Sequence, residues 1–440
     1  MASNWNKQQL ITGGILIKIL KLFMISFFLS IISDYHTVIN QASAQTKIII
    51  VTGQSLSAGA ATVSAITTTQ SRNHKKVTGL AYDSTGALSP PYIVRTPTFA
   101  AYPWTSLIET TEESPRTCMA NQYYTNSGFE AYLATGSKGG GSYTEIKKGT
   151  EAFLYLDRSI ESFTSRNSFD GVTGKPQCVG ALLMHGESDH QLSTTREQYT
   201  ANLVELQNDI QQKCLKTGSI TEGTTVPLFV GQFSSWTANV LANHSTTSPI
   251  PLAVQDAARN PTNFGKIIIV FPQYGFTHVV DGVHLTNTSS CAAGTIAGRA
   301  MASGTSYHPL QPHLTESITR VNNVITVPMY VPTCPMALDT TIITGVSSTH
   351  RGFEYTCGSS PPSISSIDCT SIACSNNIGY CTITLSGSPN ASCQTDDFIG
   401  YAITGVNGNS GGPTSGPRGN VVDSSVPVNR LVHFKLSVPQ

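Results

Sequence analysis

From Lys47 the chain reads Lys-Ile-Ile-Ile-Val-Thr-Gly, four β-branched residues in a row closed by a glycine. An unbroken apolar run of this kind predicts a strand buried on both faces, as in the middle of a parallel sheet. Glu130–Thr135, Cys178–Met184, Thr225–Val230 and Lys266–Phe271 predict further strands. Between them the period changes from two to about 3.6. Over 150–166, Phe153, Leu156, Ile160 and Phe163 recur at three- and four-residue steps. Over 195–216, Tyr199, Leu203, Leu206 and Ile210 share one face, and Gly218 closes the helix. Ser289–Ala302, rich in small residues, is expected to be helical. This alternation, from 47 to about 305, predicts a doubly wound α/β fold with a mostly parallel sheet.

Two tracts break the pattern. From Ser55 to about residue 115 the chain is polar and Thr-rich, carries Pro90-Pro91, and is expected to form long loops over the sheet edge. After about residue 320 come short β-branched runs punctuated by Pro, Gly and Ser: Val321–Tyr330, Thr340–Thr344, Tyr380–Leu385 and Leu431–Leu436. These predict an all-β accessory domain over 320–440, a sandwich or jelly roll, with Gly405–Gly419 as a loop. There is no internal repeat.

The N-terminus adds a targeting expectation. Lys7 precedes an apolar run from Ile11 to Ile32, whose uninterrupted part, Leu22–Ile32, is too short to span a bilayer. Ala42-Ser43-Ala44 has the small-x-small form of a signal-peptidase site. Residues 1–44 therefore read as a secretory signal, with the mature chain starting near Gln45; the long gap between Ile32 and Ala44 keeps an uncleaved anchor as the alternative. The expected location is secreted, periplasmic or cell-surface, with no stable membrane association after signal removal. All ten cysteines lie beyond that site, six of them between residues 334 and 393, which suggests disulfides with a pairing the spacing leaves open. With 26 basic and 26 acidic residues, no electrostatic case exists for a nucleic-acid partner.

Candidate chemistry sits at the strand ends. Ser55 follows the first strand, where open α/β sheets hold their ligands. There it serves either as a nucleophile or as the N-cap of the next helix. Gly139-Gly140-Gly141 and His185-Gly-Glu-Ser-Asp189 follow two other strands. Asp281-Gly-Val-His284 follows the last strand, and an Asp and a His three apart can share one face of a turn.

Taken in order, GQSLSAG, GGGSYTEI, HGESD and DGVHLT resemble the blocks of the SGNH, or GDSL-like, hydrolases, nearest to the sialate O-acetylesterase-like branch that includes carbohydrate esterase family 6. The resemblance covers residues 47–305 and implies a three-layer α/β/α, flavodoxin-like domain over 45–315. It also implies a serine esterase that removes acyl groups, foremost O-acetyl, from a carbohydrate, without metal or organic cofactor. By the same resemblance Ser55 is the nucleophile, His284 the general base and Asp281 its orienting carboxylate. Gly140 offers an oxyanion N–H, and His185 and Glu187 belong to the oxyanion and substrate-binding side.

Two positions depart from the family. Leu56 stands where Asn is usual, and His185 where Gln supplies a side-chain donor to the oxyanion; a neutral imidazole carries one N–H and could take that task. Glu187 and Asp189 are expected to brace their loop by hydrogen bonds. His185 and His190, with those acids between them, lack a third and fourth partner for a metal. His278 reads as structural, His308 and His313 as linker, and Trp104, Tyr143 and Trp236 as core or sugar-facing aromatics. The change at 185 also fits another class, a secreted carbohydrate-binding or adhesion protein on a degenerate hydrolase scaffold. An esterase of small acyl esters or lipids is a third option.

Overall fold

The computed structural model describes residues 46–59, 64–77, 104–165, 168–169, 172–173, 175–343, 345–358, 360–370, 374–389, 393, 397–404 and 418–439. The expected signal segment, the Pro90-Pro91 stretch and nearly all of the Gly405–Gly419 loop lie outside them. Among the described residues no helix is long and apolar enough to cross a membrane. Two compact units emerge. Of the smaller one, the described part is a hairpin of β5 (Ser168–Phe169) and β6 (Val172–Thr173). All that follows concerns the larger unit.

Its centre is β1 (Lys47–Gly53), with Ile48 to Val51 fully buried as their run predicts. β1 pairs in parallel with β4 (Ala131–Ser137) on one side and with β7 (Gln177–Met184) on the other. β8 (Leu228–Gln232) and β9 (Ile267–Pro272) continue the parallel ladder beyond β7. Beyond β4 lie β2 (Lys75–Val77), parallel, and β3 (Trp104–Ser106), antiparallel, giving the order β3-β2-β4-β1-β7-β8-β9. The polar tract expected as loops thus supplies two short edge strands. Its pairing, rather than its composition, makes them strands.

Successive strand residues face opposite layers. Ile49, Val51, Leu133, Leu182 and Val270 pack with α2 (Pro115–Ser127) and α8 (Asn287–Ser303) in one apolar core. Three helices cover the other face: α4 (Glu151–Thr164), whose Ala152 and Leu156 crowd Gly136, and the mutually packed pair α6 (Arg196–Lys216) and α7 (Ile250–Arg259). The expectations from sequence missed both α2 and α7, although α7 carries a helical stripe in Ile250, Ala253, Val254, Ala257 and Ala258. The buried side of α2 includes Thr117 and Cys118 beside Met119, Ala120 and Tyr123, too mixed to form a stripe. Its ends were legible, with Ser114 capping, Pro115 at the first position and Gly128 closing in the left-handed region.

The C-terminal part is a set of antiparallel sheets. β10 (Gln311–Pro312), β11 (Thr319–Val321), β12 (Val324–Tyr330), β15 (Ile364–Asp368) and β16 (Ile378–Leu385) form one sheet. β14 (Phe353–Thr356), β17 (Phe398–Tyr401) and β19 (Phe434–Ser437) form another, and β13 (Ala337–Leu338) pairs with β18 (Val421–Val422). Val327, Ile383, Phe353, Tyr401 and Phe434 meet in one core. The run at 340–344 is not a strand where described; Asp339 caps its start as a turn, accepting from the Thr341 and Ile342 amides. His308 and His313 are packed rather than linker, stacking on Tyr330 at 4.2 and 3.9 Å between centroids.

All ten cysteines are paired. Cys118–Cys291 joins α2 to α8, and Cys178–Cys214 joins β7 to α6. The six crowded cysteines pair among themselves as Cys334–Cys374, Cys357–Cys393 and Cys369–Cys381.

Candidate active site

The sheet order reverses around β1, whose neighbours β4 and β7 belong to opposite arms, so a crevice opens at its carboxyl end. Gly53 is required there. Its φ is 130°, and an added Cβ would lie 2.1 Å from the Met184 carbonyl oxygen. The chain turns into a one-turn helix, α1 (Ser55–Ala58), which puts Ser55 at the crevice floor with its N–H among the helix's unpaired first donors.

From the far arm, the loop after β9 reaches the same point. It closes on itself: the Val279 amide donates to the His284 carbonyl at 2.8 Å, and the Thr286 amide to Thr277 at 3.0 Å. The backbone of His278 bridges that of Leu285 at the base of the loop. Asp281 Oδ1 accepts from the amides of Val283 and His284 at 2.8 and 2.9 Å, which fixes the carboxylate. Its Oδ2 meets His284 Nδ1 at 2.7 Å, and His284 Nε2 meets Ser55 Oγ at 2.7 Å. A carboxylate only accepts, so Nδ1 carries the proton and Nε2 is left to accept from the serine hydroxyl. Burial pushes the Asp281 carboxyl up, but the imidazole and the two amides outweigh it and hold it below the usual range.

The other wall is built by two loops locked together. Ser142 opens α3 (Tyr143–Ile146) in a capping box with Glu145. The Tyr143 amide donates to Asp189 Oδ2 at 2.8 Å, and Thr194 Oγ1 donates to Oδ1 at 2.9 Å, so Asp189 braces the turn as expected. Ser188 Oγ donates to the Gly140 carbonyl at 2.8 Å. Glu187 opens α5 (Glu187–Gln191) but differs from its expectation. It is 2% exposed, neither oxygen makes a well-formed hydrogen bond among the described residues, and burial, opposed by its own amide and the Gln273 side chain, pushes its carboxyl up to about 7.

His185 also differs. Its Nε2 lies 3.0 Å from the Gly141 carbonyl and its Nδ1 2.9 Å from Tyr199 Oη, so the one N–H of the neutral ring is spent on Gly141 rather than aimed at an oxyanion. Tyr199 is the residue that periodicity alone underrated. A tyrosine on the buried stripe of a helix needs a partner for its hydroxyl, and that need was the available sign. Tyr143 and Trp236 are core, while Trp104 is half-buried against Tyr132 and Phe163. The one group of possible metal ligands among the described residues, Glu113 with Cys118 and Cys291, includes a disulfide and so lacks thiolates.

A hydroxyl, an imidazole and a carboxylate in one hydrogen-bonded row, at the switch point of a parallel sheet, is the equipment of a carboxylic ester hydrolase. The chain belongs to the family described as carbohydrate esterase, sialic acid-specific acetylesterase, whose profile matches residues 45–303. Among solved structures it is similar to a carbohydrate acetylesterase from Xanthomonas citri, with a TM-score of 0.55 and 11% identity over 89% of this chain and 80% of that one. It is also similar to a protein from Arabidopsis thaliana (TM-score 0.40, 16% identity, 59% of this chain and 99% of that one). NanS is a third (TM-score 0.37, 12% identity, 59% and 97%). No curated protein matches the chain.

Proposed function

We propose that this protein is an exported serine esterase that removes acyl groups, foremost O-acetyl, from a carbohydrate, working through Ser55, His284 and Asp281 on an SGNH-type domain. The observation that carries the reading is the unbroken row from Ser55 Oγ through His284 to Asp281, 2.7 Å at each step. In this reading Ser55 Oγ attacks the ester carbonyl carbon while His284 Nε2 takes its proton. The carbonyl oxygen, now negative, is held by the N–H groups of Ser55 and Gly140, fixed before the charge develops. His284 returns the proton to the departing sugar hydroxyl, leaving an acyl-serine that a water, deprotonated by the same imidazole, hydrolyses. Asp281 holds the ring and balances its transient charge.

The substrate class rests on the family and on the similarity to the carbohydrate acetylesterase from Xanthomonas citri. Export rests on the apolar N-terminal run and on five disulfides, which persist in an oxidising compartment. In this reading residues 1–44 are the signal, 45–315 the esterase domain and 320–440 a disulfide-containing accessory domain.

The test is acetate release from a panel of O-acetylated sugars and polysaccharides, with O-acetylated sialic acid first and p-nitrophenyl acetate as control. Wild type should release acetate, and Ser55→Ala should lose activity by roughly 10⁶-fold while keeping its thermal midpoint. Wild-type-like activity in Ser55→Ala ends the assignment of the nucleophile. Binding of glycans without acetate release would favour the adhesion class instead.

A further inference from the structure

The Gly139-Gly140-Gly141 loop has no side chains with which to set its own conformation, and glycine is the residue with the most freedom to lose. Its hydrogen bonds are therefore informative. The Gly140 carbonyl accepts from Ser188 Oγ, the Gly141 amide donates to the Lys138 carbonyl at 3.0 Å, and the Gly141 carbonyl faces His185 Nε2. Of the four backbone polar groups of Gly140 and Gly141, the Gly140 N–H is the one with no partner among the described residues. It is the group that the functional reading assigns to the oxyanion.

His185 is 1% exposed and anchored from behind. Tyr199, on the long helix α6, presents its hydroxyl to Nδ1 with the two rings parallel within 5°. A carbonyl can only accept, so Nε2 must be the protonated nitrogen, and Nδ1 of the neutral ring must accept from the Tyr199 hydroxyl. Each contact sets the direction of the other. The chain from Tyr199 through His185 to Gly141 therefore has one proton arrangement while the ring stays neutral. Burial favours that neutral form, with Asp189 opposing it.

We propose that His185, held by Tyr199, is a positioning residue: it fixes the Gly141 carbonyl and thereby aims the neighbouring Gly140 N–H at the oxyanion. It acts through the backbone rather than by touching substrate. This inference rests on the reading of Ser55 as nucleophile and Gly140 as donor, and it explains how a histidine can stand where relatives carry a glutamine. A misaimed donor weakens binding of the transition state far more than that of the ground state. The effect should therefore fall on kcat and spare KM.

The experiment is a double-mutant cycle on kcat and KM with p-nitrophenyl acetate, alongside the rate at which an organophosphonate labels Ser55. His185→Ala should lower kcat by roughly 10²-fold, the size of one lost oxyanion donor, with KM within about threefold. The phosphonylation rate should fall in parallel, because its anionic oxygen takes the same place. Tyr199→Phe, which removes one oxygen, should lower kcat by about tenfold in wild type and by less than about twofold in the His185→Ala background, because it acts through the ring. His185→Gln should stay within about tenfold of wild type, since a side-chain amide can also donate to the Gly141 carbonyl. If His185→Ala does not fold, the cycle is closed with His185→Gln, where the tyrosine effect should again vanish.

Three results overturn the proposal: wild-type kcat in both Tyr199→Phe and a folded His185 variant, a loss confined to KM, or a Tyr199→Phe effect undiminished when His185 is replaced. Failure of the underlying reading looks different. Ser55→Ala would stay active, or the phosphonate would label a residue other than Ser55.

Discussion

Glu187 sits one residue past the glycine that ends the β7 turn, 2% exposed, with no well-formed hydrogen bond at either carboxylate oxygen among the described residues. Burial raises its carboxyl from 4.5 to about 7. The folded protein therefore binds more protons at this group than the unfolded chain does between those two values. Stability linked to Glu187 is fully present below pH 4.5 and is lost as pH rises through about 7. The full loss is on the order of 3 kcal/mol. Glu187→Gln should leave the thermal midpoint near pH 4.5 almost unchanged and raise it at pH 8, as followed by circular dichroism. Equal shifts at both pH values would mean that the carboxyl is not titrating as its burial requires. His433 has the opposite sign. Burial pushes its imidazole down to about 3, so stability tied to it is present above pH 6.5 and lost as pH falls towards 3. Between pH 4.5 and 6.5 the two residues therefore act in opposite directions.

At the scale of elements, the pair α2 and α8 backs the sheet face beneath the site, and α8 begins three residues after His284. Their contact depends on absent side chains. A Cβ at Gly294 would lie 2.0 Å from the Pro115 carbonyl oxygen, and one at Gly298 would lie 2.4 Å from that of Met119. The clash is with backbone, so it cannot be relieved by a rotamer change. Gly294→Ala should cost about 3 kcal/mol, the upper end of ordinary overpacking. It should also lower kcat by shifting the loop that carries Asp281 and His284. Urea denaturation and steady-state kinetics of the same variant check both, and an unchanged midpoint would show that the helices can part without cost. The Cys118–Cys291 bridge crosses the same contact and limits how far they separate.

At the scale of the whole molecule, the last strand region is built into the α/β part rather than laid against it. The His433 amide donates to Gln232 Oε1 at 2.9 Å and its carbonyl accepts from Gln232 Nε2 at 3.1 Å, at the end of β8. Ser234 Oγ meets its Nε2 at 2.7 Å, and its Nδ1 reaches the Ala402 carbonyl in the β region. Tyr274, just past β9, lies in the C-terminal core and donates to the Leu431 carbonyl. Arg430 pairs with Asp339 and donates to the Gly275 carbonyl. Removing residues 420–440 would leave these buried polar groups unpartnered, at about 1–3 kcal/mol each. The full chain should therefore unfold in one calorimetric transition, and a chain ending at residue 419 should yield no soluble active enzyme. Two well-separated transitions would show that the parts are independent. Intact-mass analysis of exported protein should find no thiol open to alkylation before reduction, because all ten cysteines are paired.

The sequence by itself determined the elements whose chemistry is local. The β-branched run Ile48–Val51 suited a buried strand, and α4 and α6 followed from stripes at helical period. The row of Ser55, Asp281 and His284 was legible because each sits in a short block with its own turn chemistry, and the structure brings the three together. What the sequence could not hold was the choice of partner. Whether the N–H of His185 faces an oxyanion or the Gly141 carbonyl depends on where Tyr199, fourteen residues away on another element, places its hydroxyl. Whether Glu187 braces its turn or lies buried beside Gln273 depends on which loops close over it. The edge strands β2 and β3 exist because β4 offers them an open ladder. Periodicity and turn residues act over a few positions along the chain. Hydrogen-bond direction, burial and the titration they impose are set by groups far apart in sequence, and only the folded chain brings those groups within reach.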